Sequence, residues 1–435
     1  MVCGLVAEQA SIFPELALVV PDTAGLEPRD AALAHAIYDA VVRRWITLTY
    51  IIDSVLNQPL RMTEPRLQGV LLCGAAQLLL MDRLPDHAVI NESVEFAKGR
   101  IRPGAGALTN AVLRKIAALR AGAPVAGADL APGAPAIPLA DGRQLPLLRD
   151  VFPVEPIHRL AAVTSHSHEI VQEWARRFPA ATVTALANHS LVSPPTVLNM
   201  AHAAAPLPPM MVAHRIAGHH VFTGTHTELR ALLGDRNDLW VQDVASSRAV
   251  ASIGDLKPSV IVDACAGQGT KTRQLAAMFS NAAIFATDVD RERYRILSTV
   301  FKGDAQVCVV PYETLAKRCG ARADLVLLDV PCSNLGVLAR RPEAKYRPRA
   351  EQLKRLIGIQ RQIISDCAAL LNTSPRGKIL YSTCSIDPDE NESQVAWAEQ
   401  WHRCATLRSE TLLPRGLPGE DPAEYHDGSF FALLG

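Results

Sequence analysis

Two cysteines carry the strongest chemical signal in this chain. Each stands just past an apolar run, in Leu325-Val-Leu-Leu-Asp329-Val-Pro331-Cys332-Ser333 and in Lys378-Ile-Leu-Tyr-Ser-Thr383-Cys384-Ser385. Short apolar runs that end in Asp, Pro or Ser read as buried strands. In a doubly wound sheet the carboxyl ends of the strands form the ligand crevice, so both thiols would face a bound cofactor and its substrate. A thiolate in that position can attack carbon. Cys73, Cys308, Cys367 and Cys404 lie within apolar patterns instead, and read as inert small hydrophobes.

Upstream, Val260-Ile-Val-Asp263-Ala-Cys265-Ala266-Gly267-Gln268-Gly269-Thr270-Lys271 reads as strand, glycine turn and helix start. Glycines let the backbone approach a ligand closely, and a helix amino terminus offers N–H groups to it. The spacing is neither the full Gly-x-Gly-x-x-Gly pattern nor a phosphate-binding Gly-Lys-Ser/Thr loop. Asp288 closes the next strand, where a carboxylate can accept hydrogen bonds from both hydroxyls of a ribose and so suit an adenosine-containing cofactor. Asp290, two residues on, reads equally as a helix-start residue. Residues 340–361 carry eight basic and two acidic side chains. Arg340, Arg341 and Lys345 there are candidate phosphate contacts, with Tyr346 available to stack on a base.

These residues need elements to hold them. Residues 28–119 show apolar positions at helical spacing, notably 29–43, 66–81 and 88–97, which predicts an all-α domain. The Ala-, Gly- and Pro-rich stretch 121–150 reads as a linker. A helix over 158–178 and short strands at 196–200, 219–222 and 239–243 predict a small α+β subdomain. From Val260 to the end, apolar strands alternate with amphipathic helices, at 260–264, 283–287, 307–310, 325–329, 378–382 and 429–434, which predicts a parallel sheet with crossover helices. The expected domains are thus 25–120, a linker at 121–150, 151–238 and 239–435.

Composition narrows the classes. With 44 basic and 44 acidic side chains, net charge alone points to no polyanionic partner, so any nucleic-acid surface must come from local clustering. Nine cysteines without any Cys-x-x-Cys pair argue against structural zinc and a disulfide framework, and no metal is expected. The first twenty residues lack a basic signal-peptide start. Val70–Met81, the longest uncharged apolar stretch, is too short to span a bilayer. A cytoplasmic monomer without membrane contact is the expectation.

The same residues resemble a known family. Asp329-Val-Pro-Cys332-Ser, Ser382-Thr-Cys384-Ser385 followed by Asp389-Glu-Asn391-Glu392, and the Cys265–Lys271 turn are similar to motifs of S-adenosyl-L-methionine-dependent RNA 5-methylcytosine methyltransferases. Cys73-Gly74-Ala-Ala-Gln77-Leu78, Asp82-Arg83-Leu-Pro85-Asp86-His87-Ala, Asn91-Glu92-Ser-Val and Asn110-Ala-Val-Leu-Arg114 resemble the helical NusB-like RNA-binding domain. Together they resemble the RsmB/Sun (Fmu) family of small-subunit (16S) rRNA 5-methylcytosine methyltransferases. The resemblance covers nearly the whole chain after residue 25. It implies an α/β fold in which a Rossmann-like methyltransferase domain follows an all-α NusB-like domain.

The resemblance also implies roles. Cys384 would be the nucleophile, Cys332 the residue that helps release product, and Asp329 a contact to the cytosine ring and the cofactor. Residues 265–271 and Asp288 would hold S-adenosyl-L-methionine. The implied partner is rRNA, offering a single-stranded or locally opened cytosine, and no DNA. Carbon 5 of cytosine is too weak a nucleophile to take a methyl group unaided, so addition of a thiolate to carbon 6 must first create an enamine. The base must leave its stack to reach the site. Some positions depart from the family pattern. Cys265-Ala-Gly-Gln-Gly-Thr-Lys271 stands where Cys-Ala-Ala-Pro-Gly-Gly-Lys is usual, and Val310-Pro311 where an acidic residue is usual, with Glu313 nearby. Val197-Leu-Asn199 replaces an Arg-Val-Asn segment. The same chemistry on tRNA or 23S rRNA, and a non-catalytic NusB-type antitermination factor, remain alternative readings.

Overall fold

The computed structural model describes residues 1–435 apart from 132, 205–207 and 374–376. Its chain divides into two compact units. One comprises Met1–Ser193, Leu338–Arg349 and Leu417–Glu420; the other comprises Pro194–Val337, Ala350–Gly416 and Asp421–Gly435.

The first unit is built on helices α1 (Val2–Ile12), α2 (Pro28–Asp53), α3 (Pro65–Leu80), α4 (Asp86–Arg100) and α5 (Pro103–Ala118). Proline opens α2, α3 and α5, where its missing N–H costs nothing and its fixed φ favours the helix. Leu48, Ile51, Leu71, Leu72 and Leu113 are fully buried in their shared core. Helix α1 lies ahead of the domain start expected at residue 25.

The stretch expected as a linker is folded. Strands β1 (Val125–Ala126), β2 (Ala136–Pro138) and β3 (Arg143–Pro146) pair antiparallel in the order β1-β3-β2. The segment has too few apolar residues for a core of its own. Its Ile137, Leu145 and Leu147 instead join the core of the helices. Position 132, within that expected linker, lies outside the described residues. Helices α6 (Pro156–Thr164), α7 (His168–Arg177) and α8 (Ala180–His189) also belong to this unit. The single helix expected over 158–178 is broken at Ser165, which adopts φ 61°, and Ser167 then caps α7 through Ile170 N–H. The expected 151–238 subdomain is therefore divided between the two units.

The second unit opens with a four-stranded antiparallel sheet of β4 (Thr196–Asn199), β5 (Met211–Ala213), β6 (His219–Phe222) and β7 (Trp240–Val241), in the order β5-β6-β4-β7. Positions 205–207, also in the expected subdomain, lie outside the described residues. Helices α9 (His226–Asp235) and α10 (Val244–Ala251) lead into the main sheet. Its strands are β8 (Val260–Asp263), β9 (Ala283–Ala286), β10 (Val307–Val309), β11 (Leu325–Asp329), β12 (Lys378–Thr383), β13 (Thr406–Leu412) and β14 (Ser429–Leu434). Their order is β10-β9-β8-β11-β12-β14-β13. Strands β8 to β12 pair in parallel. Helices α11 (Thr270–Met278), α12 (Arg291–Val300), α13 (Tyr312–Cys319), α14 (Arg349–Ala368) and α15 (Glu392–His402) make the crossovers.

The sheet is not parallel to its end. β14 runs antiparallel between β12 and β13. Edge strand β13 was not expected from the sequence, because an exposed edge carries polar residues such as Arg408 and Glu410 in place of an apolar run. Reversal of strand order at β8/β11 opens the sheet at the carboxyl ends of those strands.

Candidate active site

β11 and β12 are adjacent and in register, with Asp329 opposite Ser382, so the loops that leave them emerge side by side. That register brings the two cysteines together: Cys332 Sγ lies 3.1 Å from Cys384 Sγ, and both are free thiols. Cys332 is buried, whereas Cys384 is partly exposed. A hydrogen bond shared with Cys384, then burial, pushes the Cys332 thiol well up. The nearby charges of Cys384 and Glu390 act in the same direction. Cys332 therefore holds its proton.

A third group completes the arrangement. Asn334, in the left-handed region at φ 65°, accepts from Cys384 Sγ through Oδ1 at 3.2 Å and donates from Nδ2 to the Cys332 carbonyl at 3.2 Å. Glu390 lies fully buried behind both loops. Its Oε1 accepts from Ser333 N–H at 2.8 Å and from Gln360 at 3.2 Å, and its Oε2 accepts from Ser333 Oγ. Ser333 Oγ lies 3.1 Å from Ser385 Oγ. Burial pushes the Glu390 carboxyl up, against the pull of these donors. Asn391 adds bonds to Thr383 Oγ1 at 2.6 Å and to Ser385 O at 3.0 Å.

Within the run Asp389-Glu-Asn391-Glu392, Glu390 and Asn391 thus clamp the two thiol loops. In the sequence that run reads as a dense polar cluster before a helix, which gives no hint of which side chain turns inward, and Asn334 lies outside it.

The glycine turn sits at the carboxyl end of β8. Gly267 and Gly269 both have positive φ, 57° and 92°. A Cβ on Gly269 would lie 2.5 Å from the Phe301 ring, whereas a Cβ on Gly267 would meet nothing within 4 Å. Gly269 is thus required by packing, whereas Gly267 leaves an open face. No side chain caps α11. Asp288 ties the turn down: its Oδ2 accepts from Gly267 N–H and its Oδ1 from Asp290 N–H, each at 2.8 Å. Asp290 itself caps α12 through Glu292 and Arg293 N–H, both at 3.0 Å.

Lys271 points back across the sheet end and donates to Asp329 Oδ2 at 2.8 Å. Burial alone would lower this ammonium, but Asp329, Cys384 and Asp263 together hold it up. Asp263 is fully buried and pushed up to about 7, chiefly by desolvation, even though Thr272 Oγ1 donates to it at 2.6 Å. Cys265 is pushed up by desolvation and by the carboxylates around it, so it stays a thiol. Ala266 is buried, and Gln268 and Thr270 are exposed at the rim of the turn. Among the structural cysteines, Cys73 and Cys367 are buried as expected, but Cys308 is exposed on edge strand β10.

The basic segment is where the structure departs from the sequence reading. Lys345 and Tyr346 are 0 % and 2 % exposed, so neither is presented to a nucleic acid. They pack in the first unit against a kink in α2, where Arg44 leaves the helical region with φ −122° and ψ 22°. Lys345 Nζ donates to Arg43 O at 2.6 Å, and Tyr346 OH donates to Val42 O at 2.7 Å. The same hydroxyl lies 3.3 Å from Trp45 N and 3.0 Å from Ser165 Oγ. These side chains satisfy backbone groups that the kink removes from the helix ladder. Arg341 is half-buried and paired with Glu343 at 2.7 Å; Arg340 is half-buried.

A sheet of this order, with a glycine turn after β8 and a carboxylate closing β9, defines a Rossmann-like methyltransferase fold. Residues 255–417 match the family described as 16S rRNA methyltransferase RsmB/F, and residues 7–118 match the NusB family. A ribosomal RNA small subunit methyltransferase B of Xylella fastidiosa (strain Temecula1) is 30% identical, the match covering 100% of this chain and 96% of that protein. One of Sodalis glossinidius is 30% identical over 96% of this chain and 92% of its own length. That of Xanthomonas campestris is 29% identical, over 98% and 92%. The solved structure of PH0851 aligns over 100% of this chain and 98% of its own with a TM-score of 0.69 at 19% identity, a likeness of fold. A methyltransferase homolog from Pyrococcus horikoshii aligns over 65% and 99%, with a TM-score of 0.52 at 18% identity. The chain belongs to the ribosomal RNA small subunit methyltransferase B family. Among the described residues no helix is long and apolar enough to cross a membrane.

Proposed function

We propose that this protein transfers a methyl group from S-adenosyl-L-methionine to carbon 5 of a cytosine in small-subunit rRNA, through a covalent bond between Cys384 and carbon 6 of the base. The observation that carries the reading is the contact of two unequal thiols, 3.1 Å apart, beside the Lys271–Asp329 pair. The turn suits the cofactor: Gly267 leaves the space of a Cβ open, and Asp288 sits at the end of the adjacent strand. The Cys265–Lys271 backbone, Asp288 and Asp329 would hold S-adenosyl-L-methionine, which supplies the methyl group as an electrophilic sulfonium.

The chain's own residues do the rest. Cys384, the more exposed thiol, adds as thiolate to carbon 6 of the cytosine, and its electron pair makes carbon 5 nucleophilic. Cys332 S–H, buried and proton-bearing, would donate to the Cys384 sulfur and steady the thiolate it becomes. After methylation, Cys332 would give its proton to the Cys384 sulfur as the carbon–sulfur bond breaks and take the proton of carbon 5 in its place, so that both cysteines end as thiols. Asp329, fixed by Lys271, presents a carboxylate to the polar edge of the base. The base must be extruded from any helix first, which favours loops or locally opened rRNA. The helical unit, matching the NusB family, would supply the RNA contacts that the buried Lys345 and Tyr346 do not.

The test uses labelled cofactor and rRNA. Cys384→Ala should abolish methyl transfer, and retained transfer would overturn the nucleophile assignment. Cys332→Ala should accumulate a protein–RNA adduct that survives denaturing electrophoresis, and normal turnover without adduct would remove its release role. Bisulfite sequencing of 16S, 23S and transfer RNA from a strain lacking the protein identifies the cytosine.

A further inference from the structure

Asn334 belongs to no motif singled out in the sequence, yet it touches both thiol loops. Its amide orientation is fixed by chemistry. Nδ2 lies 3.2 Å from the Cys332 carbonyl, which only accepts, so the donor end of the amide must face that way. Oδ1 therefore faces Cys384 Sγ, 3.2 Å away, and the hydrogen between them must come from sulfur. Cys384 spends its S–H on Asn334, so the contact at 3.1 Å between the sulfurs takes its hydrogen from Cys332. The three groups form a one-way chain: Cys332 S–H to Cys384 Sγ, Cys384 S–H to Asn334 Oδ1, and Asn334 Nδ2–H back to the Cys332 carbonyl. The φ of 65° at Asn334 aims the side chain, and asparagine tolerates that region better than most residues.

We propose that Asn334 is a positioning residue for the attacking thiol, holding Cys384 protonated and pointed into the loop until a substrate base displaces the amide. Two neighbours act on Cys384 in opposite ways: Cys332 S–H would steady a thiolate, and an amide oxygen at the same sulfur disfavours one. The other charged groups around the pair are Lys271, paired with Asp329, and Glu390 behind Cys332. The inference rests on Cys384 being the nucleophile, but its test does not require RNA or methyl transfer.

The experiment is alkylation of the full-length protein by iodoacetamide between pH 6 and 10, with the modified cysteine located by peptide mass spectrometry. Asn334→Gly keeps the left-handed backbone and removes the acceptor. Alkylation of Cys384 at pH 7 should rise about fivefold, the worth of one ordinary hydrogen bond, with the plateau at high pH unchanged. Asn334→Asp puts a carboxylate against the sulfur and should move the curve to higher pH. A uniform change in rate at every pH would mean only that the loop had opened, and would overturn the proposal. Equal curves for the three proteins, or shifts of one sign, would overturn it as well. Failure of the nucleophile reading shows separately, as methyl transfer retained by Cys384→Ala.

Discussion

Asp263→Asn should make the second unit more stable at pH 8 than at pH 5, relative to the unmutated protein. The Asp263 carboxyl is fully buried beneath the glycine turn and is pushed up from 3.8 to about 7. Desolvation is the main cause and the charge of Asp329 adds to it, while Thr272, Lys271 and the Cys265 backbone oppose it. The sign follows from proton counting. Between these two values the folded chain keeps a proton that the unfolded chain has lost, so stability falls as pH rises through that window. Below it both states are protonated, and above it both are ionised with the burial cost fully expressed. Each pH unit is worth about 1.4 kcal/mol, so the two units from pH 5 to about 7 amount to about 3 kcal/mol. Asparagine does not titrate, and its amide oxygen can still accept from Thr272. Urea unfolding of both proteins at pH 5, 6, 7 and 8 isolates the effect, because titrating groups remote from Asp263 cancel in the difference. The variant's relative stability should climb by about 3 kcal/mol and level off above pH 7. A difference that stays level, or falls with pH, would refute a buried protonated Asp263.

Two further outcomes test the reading of the turn and of the basic segment. Gly269→Ala should destabilise the second unit by about 3 kcal/mol, because the methyl meets the Phe301 ring at 2.5 Å in a left-handed backbone. Gly267→Ala should cost only about 1 kcal/mol in the same urea unfolding yet weaken S-adenosyl-L-methionine binding in calorimetric titration, since its methyl enters open space. Equal effects of the two would contradict the division of labour within the turn. Tyr346→Phe should destabilise the first unit by about 2 kcal/mol, as Val42 O and Trp45 N lose their partner. An unchanged unfolding midpoint would show that water replaces the hydroxyl at the kink.

What the sequence made legible follows the period of its apolar residues. Strand β11 was read at Leu325–Asp329 and β14 at Ser429–Leu434, as observed, because buried strands must be continuous apolar runs. The thiol pair was legible for the same reason: both cysteines follow such runs. Their contact was not, since it depends on β11 and β12 being neighbours in register, which no local pattern states. Composition misleads at residues 121–150 because it measures whether a segment can bury a core of its own. It does not measure whether three well-placed side chains, Ile137, Leu145 and Leu147, can use another's.

Lys345 and Tyr346 show a different limit. A basic and an aromatic residue in a charged run have the composition of a nucleic-acid contact, and nothing local separates that from a structural use. The deciding fact is the kink at Arg44, some three hundred residues earlier, in a stretch reading Val-Val-Arg-Arg-Trp with neither proline nor glycine to announce it. Breaking a helix there strands the carbonyls of Val42 and Arg43 and the N–H groups of Trp45 and Ile46 inside a hydrophobic core. Ser165 Oγ takes Ile46 N–H at 2.9 Å, and Lys345 and Tyr346 take the others. Their polar ends are what the core lacks, so the residue types that suggested RNA are required for the opposite reason. The chain that leaves the Cys332 loop enters this segment directly, and α14 follows it. Substitutions at 345 and 346 should thus be read first through the stability of the helical unit, and only then through any change in RNA affinity.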